Sequence, residues 1–267
     1  MPERKSHAPG SFCWPEIAAG DAGKAKAFYG ELLGWDIRDQ PGGFYSIAHR
    51  KGKAVAGLYG LMPDQRAKGV PPHWLSYVRV ASTDASAQKA AGLGGKVLHP
   101  PMDVPGIGRM AVLEDPAGAC FALWESTGHE GAELVDEPGA PCWYELMTRD
   151  AARAKAFYTG LFGWIPKPMP MEASPGCAGG PVDYTVFHNG ESMACGMMEM
   201  KGAEWEGVPP HWMPYVAVED CDSTAKCCAE LGGKVCVPPT DIPHIGRFSV
   251  LTSPDGAVFS VIRLAGR

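Results

Sequence analysis

The side chains best suited to proton transfer in this chain are two glutamates in matching surroundings. Trp14-x-Glu16 recurs as Trp143-x-Glu145, 129 residues later. A carboxyl group can act as a general acid or base when its surroundings adjust its proton affinity. Glu16 and Glu145 are therefore the candidate catalytic residues, and Trp14 and Trp143 are candidate ligand-binding residues.

Other polar side chains recur in both parts of the sequence and suit the binding of a small molecule. Arginine binds a carboxylate or another anion, and tyrosine and histidine form hydrogen bonds. The remaining candidate ligand-binding residues are His73, Tyr77, Arg109, His211, Tyr215 and Arg247. A structural role is the alternative, in which Glu16 and Arg109 pair with each other or with the backbone. In the same alternative, His73 and His211, each of which follows two prolines, would have their hydrogen bonds satisfied at a turn or at the start of a strand.

The motif Pro-Pro-His-Trp, which ends at Trp74 and again at Trp212, belongs to a duplication that covers nearly the whole chain. The first block of the duplication has an offset of 129 residues and the second an offset of 138. The nine extra residues fall within residues 166–183, whose Pro, Met and Gly predict a loop. The repeat indicates two domains. We expect a disordered tail at residues 1–10, domains at 11–127 and 140–267, and a linker at 128–139.

Each half is predicted to begin with a short strand around its Trp-x-Glu motif and to continue into a helix. Asp21 can cap that helix and Gly34 can end it, as Asp150 and Gly163 can in the second half. Apolar residues at i, i+3, i+4 and i+7 predict a helix packed on a core. They are Ala25, Phe28, Tyr29 and Leu32, and in the second half Ala154, Phe157, Tyr158 and Leu161.

Strands and a second helix complete each half. In the first half, strand character occurs at residues 44–48, 54–61, 77–80, 96–98, 109–113 and 120–124. A helix at residues 85–93 is expected to be capped by Asp84 and ended by Gly94. Asp115-Pro116-Ala117-Gly118 suits a type I turn between the last two strands. The order β-α-β-β-β, twice in each half, indicates an α+β fold.

Composition excludes several classes of function. The net charge of −6 and the pI near 5.8 argue against nucleic-acid binding. No apolar run approaches the ~20 residues that span a bilayer, and the N-terminus lacks an apolar signal core. The nine cysteines form no Cys-x-x-Cys motif, which indicates reduced thiols in a cytoplasmic protein. We therefore expect a small-molecule ligand, no nucleic-acid or membrane partner, and a monomer or homodimer.

These elements together resemble the vicinal oxygen chelate superfamily, which includes glyoxalase I, bleomycin-resistance proteins and extradiol dioxygenases. The resemblance rests on FYGELLGW and FYTGLFGW after the capping aspartates, on the LGGKV and GR segments, and on the turns DPAG and SPDG. It covers residues 11–127 and 140–264 and looks closest to two-domain glyoxalase-like proteins. It implies four βαβββ modules that form two half-barrel domains, each around a cavity that the candidate residues face.

The resemblance also implies where a metal would bind. Metal-dependent members hold a divalent ion with His, Gln and Glu at the start of the first strand and near the end of the last strand of a module. The matching positions here are Trp14, Leu75, Ala122, Trp143, Met213 and Ser260. None of these side chains is a useful ligand for a divalent metal, so no metal or other cofactor is expected. An alignment shifted by two residues keeps the strand face and would bring Glu16 and His73 into ligand positions.

Three functions follow from these patterns. The first is a metal-independent protein that binds a small organic molecule, as bleomycin-resistance members do. The second is a metal-dependent enzyme, either a glyoxalase-type isomerase or lyase or a ring-cleaving dioxygenase. The third is a metal-free enzyme in which Glu is the general base and Tyr or Arg stabilises an enolate.

Overall fold

The computed structural model describes residues 2–171 and 182–266. The first half contains β1 (Phe12–Ala19), α1 (Ala22–Leu33), β2 (Asp36–Asp39), β3 (Tyr45–Arg50), β4 (Lys53–Gly60), α2 (Pro63–Ala67), β5 (His73–Arg79), α3 (Thr83–Gly92), β6 (Lys96–Val104), β7 (Gly108–Glu114) and β8 (Cys120–Ser126). The second half contains β9 (Pro141–Thr148), α4 (Ala151–Phe162), β10 (Ile165–Met171), β11 (Val182–Asn189), β12 (Ser192–Glu199), a short 3-10 helix (Ala203–Trp205), β13 (His211–Ala217), α5 (Cys221–Glu230), β14 (Lys234–Ile242), β15 (Gly246–Thr252) and β16 (Val258–Leu264). The described residues thus follow the expected βαβββ order four times.

Each half forms one mixed sheet of eight strands within the described residues. The strand orders are β2-β3-β4-β1-β5-β8-β7-β6 and β10-β11-β12-β9-β13-β16-β15-β14. β1 and β5 are antiparallel neighbours at the centre, and each also lies parallel to the last strand of its own module. The second sheet repeats this arrangement around β9 and β13. The two modules of a half therefore join through their first strands, which gives the α+β half-barrel fold that the sequence predicts.

The helix that follows each first strand has the predicted ends. The Asp21 carboxylate accepts a hydrogen bond from the Lys24 backbone N–H, and Asp150 caps α4 in the same way. Gly34 and Gly163 end the two helices in the left-handed conformation, at φ of 65° and 75°, where glycine avoids the steric penalty of a Cβ. The apolar stripes of both helices are buried, as predicted.

Each sheet has an inner face, which carries the helices, and an outer face on the opposite side. The inner faces of the two halves pack together, because α1 contacts α5 and α3 contacts α4. One buried cluster joins Phe28 to Phe259 and another joins Phe121 to Tyr158 across the halves. The halves are therefore back to back, and their outer faces point away from each other.

The tryptophan of each Pro-Pro-His-Trp motif belongs to this shared interior. Trp74 Nε1 donates to the Tyr29 hydroxyl at 3.2 Å, and Trp212 Nε1 donates to the Tyr158 hydroxyl at 2.9 Å. Tyr158 in turn donates to Asp115 of the first half at 3.0 Å. The repeated tryptophans thus hold helix and sheet together, and their conservation between the halves reflects packing.

The structure differs from the sequence prediction at several elements. The residues of β2 were not located by the sequence, and α2 was not expected. The α3 cap is Ser82, whose side chain accepts from the Ala85 N–H, instead of Asp84. Part of the loop predicted at residues 166–183 is strand β10, which pairs with β11. β10 lies at the sheet edge, where alternate prolines are tolerated because their missing N–H groups would face away from the neighbouring strand. Residues 172–181 of that predicted loop lie outside the described residues.

The N-terminal segment, expected to be a disordered tail, pairs with the linker. The Arg4 N–H donates to the Glu133 carbonyl at 2.9 Å, and the Val135 N–H donates to the Pro2 carbonyl at 3.0 Å. Gly10 is fixed to the sheet through the Arg79 carbonyl. Within the described residues, the cysteines are free thiols and none of the helices is long and apolar enough to cross a membrane.

Candidate ligand-binding site

A buried glutamate with two tyrosine partners lies at the centre of the outer face in the first half. The side chain of Glu16 is only 8% exposed. Tyr77 donates to Glu16 Oε1 at 2.8 Å, and Tyr45 donates to Oε2 at 2.7 Å. Trp14 Nε1 donates to the Tyr45 hydroxyl at 2.9 Å. The four side chains form one continuous hydrogen-bonded network.

The strand register explains why these side chains meet. Trp14 lies opposite Tyr77 on the antiparallel neighbour β5, and alternation along β1 puts Glu16 on the same face as Trp14. Gly57 on β4 is the partner of Glu16 on the other side. A Cβ at Gly57 would overlap the Tyr45 hydroxyl. The glycine therefore leaves the space through which the Tyr45 ring reaches the carboxylate.

The second half builds the same network from equivalent residues. Glu145 is 7% exposed, and Tyr215 donates to its Oε2 at 2.8 Å. Tyr184 provides the second tyrosine hydrogen bond to the carboxylate, and Trp143 Nε1 donates to the Tyr184 hydroxyl at 3.0 Å. Gly196 again leaves room for the tyrosine. The whole arrangement has thus been retained in two places in one chain.

Burial sets the electrostatics of both networks. Removal from water raises the pKa of Glu16 above its ordinary value, and the hydrogen bonds from Tyr45 and Tyr77 oppose this effect. The pKa of Glu145 is raised for the same reason. Burial and the neighbouring glutamate hold the pKa of Tyr77 and Tyr215 well above the usual tyrosine value. Each site therefore holds one carboxyl group of increased proton affinity beside two neutral phenols.

The surroundings of each network are apolar. In the first half, Leu75, Ala122 and Trp124 belong to the same buried cluster as Trp14 and Tyr77. The Met110 sulfur lies 4.0 Å from the Tyr77 hydroxyl. In the second half the corresponding cluster is rich in methionine, with Met147, Met198, Met200 and Met213 among its members. Such linings suit a ligand that is mostly apolar and carries a few polar groups.

His73 and His211 lie at the starts of β5 and β13, beyond the glutamates. His73 pairs with Ala18, and His211 pairs with Met147. The Nδ1 atom of each ring donates to the carbonyl of the proline two residues earlier, at 2.8 Å in both halves. This bond fixes the tautomer and leaves Nε2 as an acceptor. Burial lowers the pKa of His211, so that ring is neutral at pH 7.

The two arginines do not belong to this site, and that expectation is corrected. Arg109 forms ion pairs with Asp84 at 2.7 Å and Asp103 at 2.7 Å, and Arg247 pairs with Asp222 and Asp241. Alternation along β7 places Met110 on the outer face, so Arg109 lies on the helix-bearing face. The alternative pairing of Glu16 with Arg109 is wrong for the same reason.

The donor set on the outer face does not fit a divalent metal. The positions that would hold ligands in metal-dependent members carry Trp14, Leu75 and Ala122 in the first half. A two-residue shift supplies Glu16 and His73, yet the described residues contain no group of three His, Cys, Asp or Glu side chains that could hold a metal ion. Two ligands are fewer than the three protein ligands of typical catalytic sites. We therefore derive no step through a metal.

Sequence reasoning did not identify Tyr45 and Tyr184, which complete the two networks. The signal was present, because Tyr45-x-x-x-His49 matches Tyr184-x-x-x-His188. The equivalence of Tyr45 and Tyr184 in this motif was not recognised. Their role depends on the approach of β3 and β11 to the glutamates, which only the sheet order defines.

Comparison with known proteins identifies the family of this chain. Residues 12–123 and 141–261 match the model of the Glyoxalase/Bleomycin resistance protein/Dioxygenase superfamily. The chain is 39% identical over 269 residues to the "Putative glyoxylase CFP32" of Mycobacterium tuberculosis, covering 99% of each chain. It is 37% identical over 274 residues to the "Anthracycline biosynthesis protein DnrV" of Streptomyces peucetius, covering 96% of this chain and 94% of that one.

Solved structures share the fold at low sequence identity. The Mn(II)-bound glyoxalase from Novosphingobium aromaticivorans has a TM-score of 0.64 at 15% identity, over 96% of this chain and 82% of that chain. The 2,3-dioxygenase LapB from Pseudomonas sp. KL28 has a TM-score of 0.61 at 14% identity, over 96% and 93%. The duplicated βαβββ fold and the match over both halves establish that this chain belongs to the glyoxalase/bleomycin resistance protein/dioxygenase superfamily.

Proposed function

We propose that this chain is a small-molecule binding protein that works without the divalent metal of its metal-dependent relatives. The observation that carries the proposal is the buried Glu–Tyr–Tyr–Trp network, which is repeated in both halves at the centre of the outer face. The network lies where metal-dependent members would have their ligands, and its side chains are suited to hydrogen bonding.

The network has capacity to bind a polar group of a ligand. Each carboxylate oxygen of Glu16 accepts one tyrosine hydrogen bond, and a carboxylate has about four acceptor positions in all. A ligand hydroxyl can therefore donate to Glu16 without displacing either tyrosine. The adjoining Trp14, Leu75 and Trp124 favour an apolar or aromatic body for the same ligand. We infer a compact aromatic molecule that carries hydroxyl or carbonyl groups.

The relatives support this class of ligand. The Streptomyces relative is named for anthracycline biosynthesis and is similar along nearly its whole length. Anthracyclines are flat, polycyclic aromatic molecules with hydroxyl and carbonyl groups, which is the chemistry that the network and its aromatic neighbours would recognise.

A second candidate function is proton transfer without a metal. It is favoured by the raised pKa of Glu16 and Glu145, because a general base is most effective when its pKa approaches the working pH. In this scheme the carboxylate takes a proton from a carbon next to a ligand carbonyl. The carboxyl group, once protonated, gives up one of its two tyrosine hydrogen bonds, and that tyrosine O–H then donates to the enolate oxygen.

Binding of 2,6-dihydroxyanthraquinone, a flat aromatic hydroxyketone whose hydroxyls are free to donate, tests the proposed function. We expect the wild-type chain to bind it in calorimetric titrations, and the double variant Glu16→Gln/Glu145→Gln to bind roughly 10- to 100-fold more weakly, since a charged hydrogen bond contributes about 1.5–3 kcal/mol. Glu31→Gln, on the exposed side of α1, is the matched control. Unchanged affinity with a lowered melting temperature in the double variant would assign the network a structural role only.

Two further measurements separate the alternatives. Elemental analysis of protein purified without chelator or added metal is expected to give no stoichiometric Zn, Ni, Mn or Fe, and a stoichiometric metal would refute the metal-free proposal. Proton transfer is tested by deuterium uptake from heavy water into the C–H bonds of hydroxyacetone, followed by NMR. Uptake that depends on the two glutamates would favour the enzyme over the binding protein.

A further inference from the structure

The two halves share one network but differ in what covers it. Trp14 and Trp143 have the same orientation, since each indole N–H donates to its tyrosine, at 2.9 and 3.0 Å. A Cβ built on the adjacent glycine would also lie at nearly the same distance from Nε1, 2.8 Å from Trp14 and 2.9 Å from Trp143. Trp14 is nevertheless only 4% exposed, whereas Trp143 is partly exposed. The difference in exposure therefore comes from what covers each tryptophan and not from the position of its ring.

The cover of Trp14 is a histidine from the linker. The His129 ring lies 4.5 Å from the Trp14 ring, centre to centre, at an interplanar angle of 89°. It also contacts the edge of Trp124, and Trp124 Nε1 donates to the His129 carbonyl at 2.7 Å. Burial lowers the pKa of His129, so the ring is neutral and packs as a flat aromatic group. Edge-to-face contact of this kind is favourable between aromatic rings.

The segment that carries His129, residues 127–136, is held across the first half and is called the strap below. The Ala132 N–H donates to the Cys13 carbonyl at 2.7 Å, and the Glu133 N–H donates to the Ala54 carbonyl at 2.8 Å. The strap and the N-terminal segment also line a groove of about 880 Å³. The strap is thus held by backbone hydrogen bonds to β1 and to the start of β4 and borders open space, while its Leu134 is buried in the shared interior of the halves.

The second half lacks the side chains that anchor the strap. Trp124 and Arg79, which bind the strap at His129 and Glu130, correspond to Ile262 and Ala217. These two aliphatic side chains have no N–H group to donate. Among the described residues, no ring is stacked on Trp143 or set edge-to-face against it, and its contact with Tyr184 is the hydrogen bond to the hydroxyl.

Positions covered by the strap are open in the second half. Ala54 is 7% exposed, whereas Met193, which holds the equivalent place beside its histidine in the sheet, is 64% exposed. Cys13 is buried, whereas Cys142 is partly exposed. These differences in exposure lie along the path of the strap, so they support cover by the strap as their common cause.

The lining of the second half is also more adaptable. Ala18 and Tyr59, which pair in the first sheet, are replaced by Met147 and Met198. Leu75 is replaced by Met213. Methionine side chains are flexible and make favourable contacts with aromatic rings, so this half suits an aromatic ligand.

We propose that the second half is the ligand-binding half, that it takes a flat aromatic or heteroaromatic ring against Trp143, and that His129 occupies the corresponding place in the first half. The inference rests on the proposed function and assigns it to one of the two outer faces. The strap then acts as a built-in occupant of the first site, and its ring indicates the geometry of the ligand in the second.

The stoichiometry of 2,6-dihydroxyanthraquinone binding tests this inference by calorimetric titration of the full chain. We expect one molecule per chain for the wild type. Trp143→Leu is expected to weaken that binding at least 10-fold. Leu98→Ser, which removes an exposed apolar side chain on β6, is the control for adsorption to the surface and is expected to leave binding unchanged.

Opening the strap provides the converse test. His129→Gly/Trp124→Ile removes the ring and one anchor and makes position 124 match its second-half counterpart. We expect this double variant to bind two molecules of the probe per chain, and to bind only one when Trp143→Leu is added. Retained binding at Trp143 in the opened variant also reports that the chain is folded. His129→Gly alone serves if the double variant does not fold.

The outcomes distinguish this inference from the proposed function. Two molecules bound per wild-type chain, or unchanged affinity after Trp143→Leu, would overturn the assignment to the second half while leaving the binding function in place. One molecule per chain after the strap is opened would overturn the role of His129 as an occupant. A wild-type chain that binds no probe would contradict the proposed function and this inference together.

Discussion

At the scale of single residues, each site is a buried carboxyl group that is satisfied without a cation. Glu16 and Glu145 are almost inaccessible to water, and an unpaired charge there would be costly. Two phenol groups supply the hydrogen bonds that the structural alternative assigned to Arg109 or to the backbone. Sequence reasoning found the glutamates and one tyrosine partner of each. The sequence does not show which residues of β7 face outward. Arg109 was therefore predicted to lie on the outer face, although it lies on the helix-bearing face.

The raised pKa of the two glutamates predicts how stability depends on pH. The folded chain holds these protons more tightly than the unfolded chain, so their contribution to the free energy of unfolding is fully present below the ordinary pKa of 4.5. It is lost as the pH rises through the raised folded-state pKa. We expect urea denaturation from pH 4.5 to 8 to show a steeper decline for wild type than for Glu16→Gln/Glu145→Gln. The raised pKa of Asp115 contributes equally to both proteins. Parallel profiles would contradict the pKa assignment.

Gly57 and Gly196 are predicted to be intolerant of even one added methyl group. A Cβ at either position would overlap the tyrosine hydroxyl of its network. We expect Gly57→Ala and Gly196→Ala each to lower the free energy of unfolding by about 1–3 kcal/mol, as overpacking does. Gly92→Ala, where a Cβ would meet no atom within 4 Å, is the control and should be neutral or slightly stabilising. Equal effects at the three positions in chemical denaturation would argue against a packed network.

At the scale of elements, the helices and strands were predicted most accurately from the sequence where a short-range rule was sufficient. The caps Asp21 and Asp150, the terminal glycines and the apolar stripes all follow from short-range geometry. β10 was missed because its prolines suggest a loop, and only its place at the sheet edge makes them acceptable. The strap was expected as a linker, and nothing in its composition indicates that it covers Trp14.

The helix caps give a prediction that belongs to this scale. Asp21→Ala and Asp150→Ala each remove a side-chain acceptor for a backbone N–H in the first turn. We expect each to lower the free energy of unfolding by about 1 kcal/mol, measured by urea denaturation. Glu31→Ala, at an exposed position within α1, keeps the cap and should change stability by less than about 0.5 kcal/mol. A loss at Glu31 as large as at Asp21 would mean that the caps are not the cause.

At the scale of the whole molecule, the duplication joins two halves through their helices. Each of the two inner clusters contains side chains from both halves, and Tyr158 binds Asp115 across them. The repeated aromatic residues that first reveal the duplication therefore form the shared interior. The outer faces remain free to diverge, as the strap and the methionines show. This division explains why the sequence repeat predicted the fold well and the unequal sites poorly.

The shared interior predicts that the two halves unfold as one cooperative unit. Phe121 belongs to the first half but packs on Tyr158 of the second, with ring centres 5.7 Å apart. Phe121→Ala should cost about 3–5 kcal/mol. We expect hydrogen exchange with mass spectrometry to detect the same loss of protection in β8 of the first half and α4 of the second. Ile165→Ser, at an exposed position on the sheet edge, should leave both unchanged. A loss confined to the first half would mean that each half opens alone, and the back-to-back interface would then be a contact between independently stable domains.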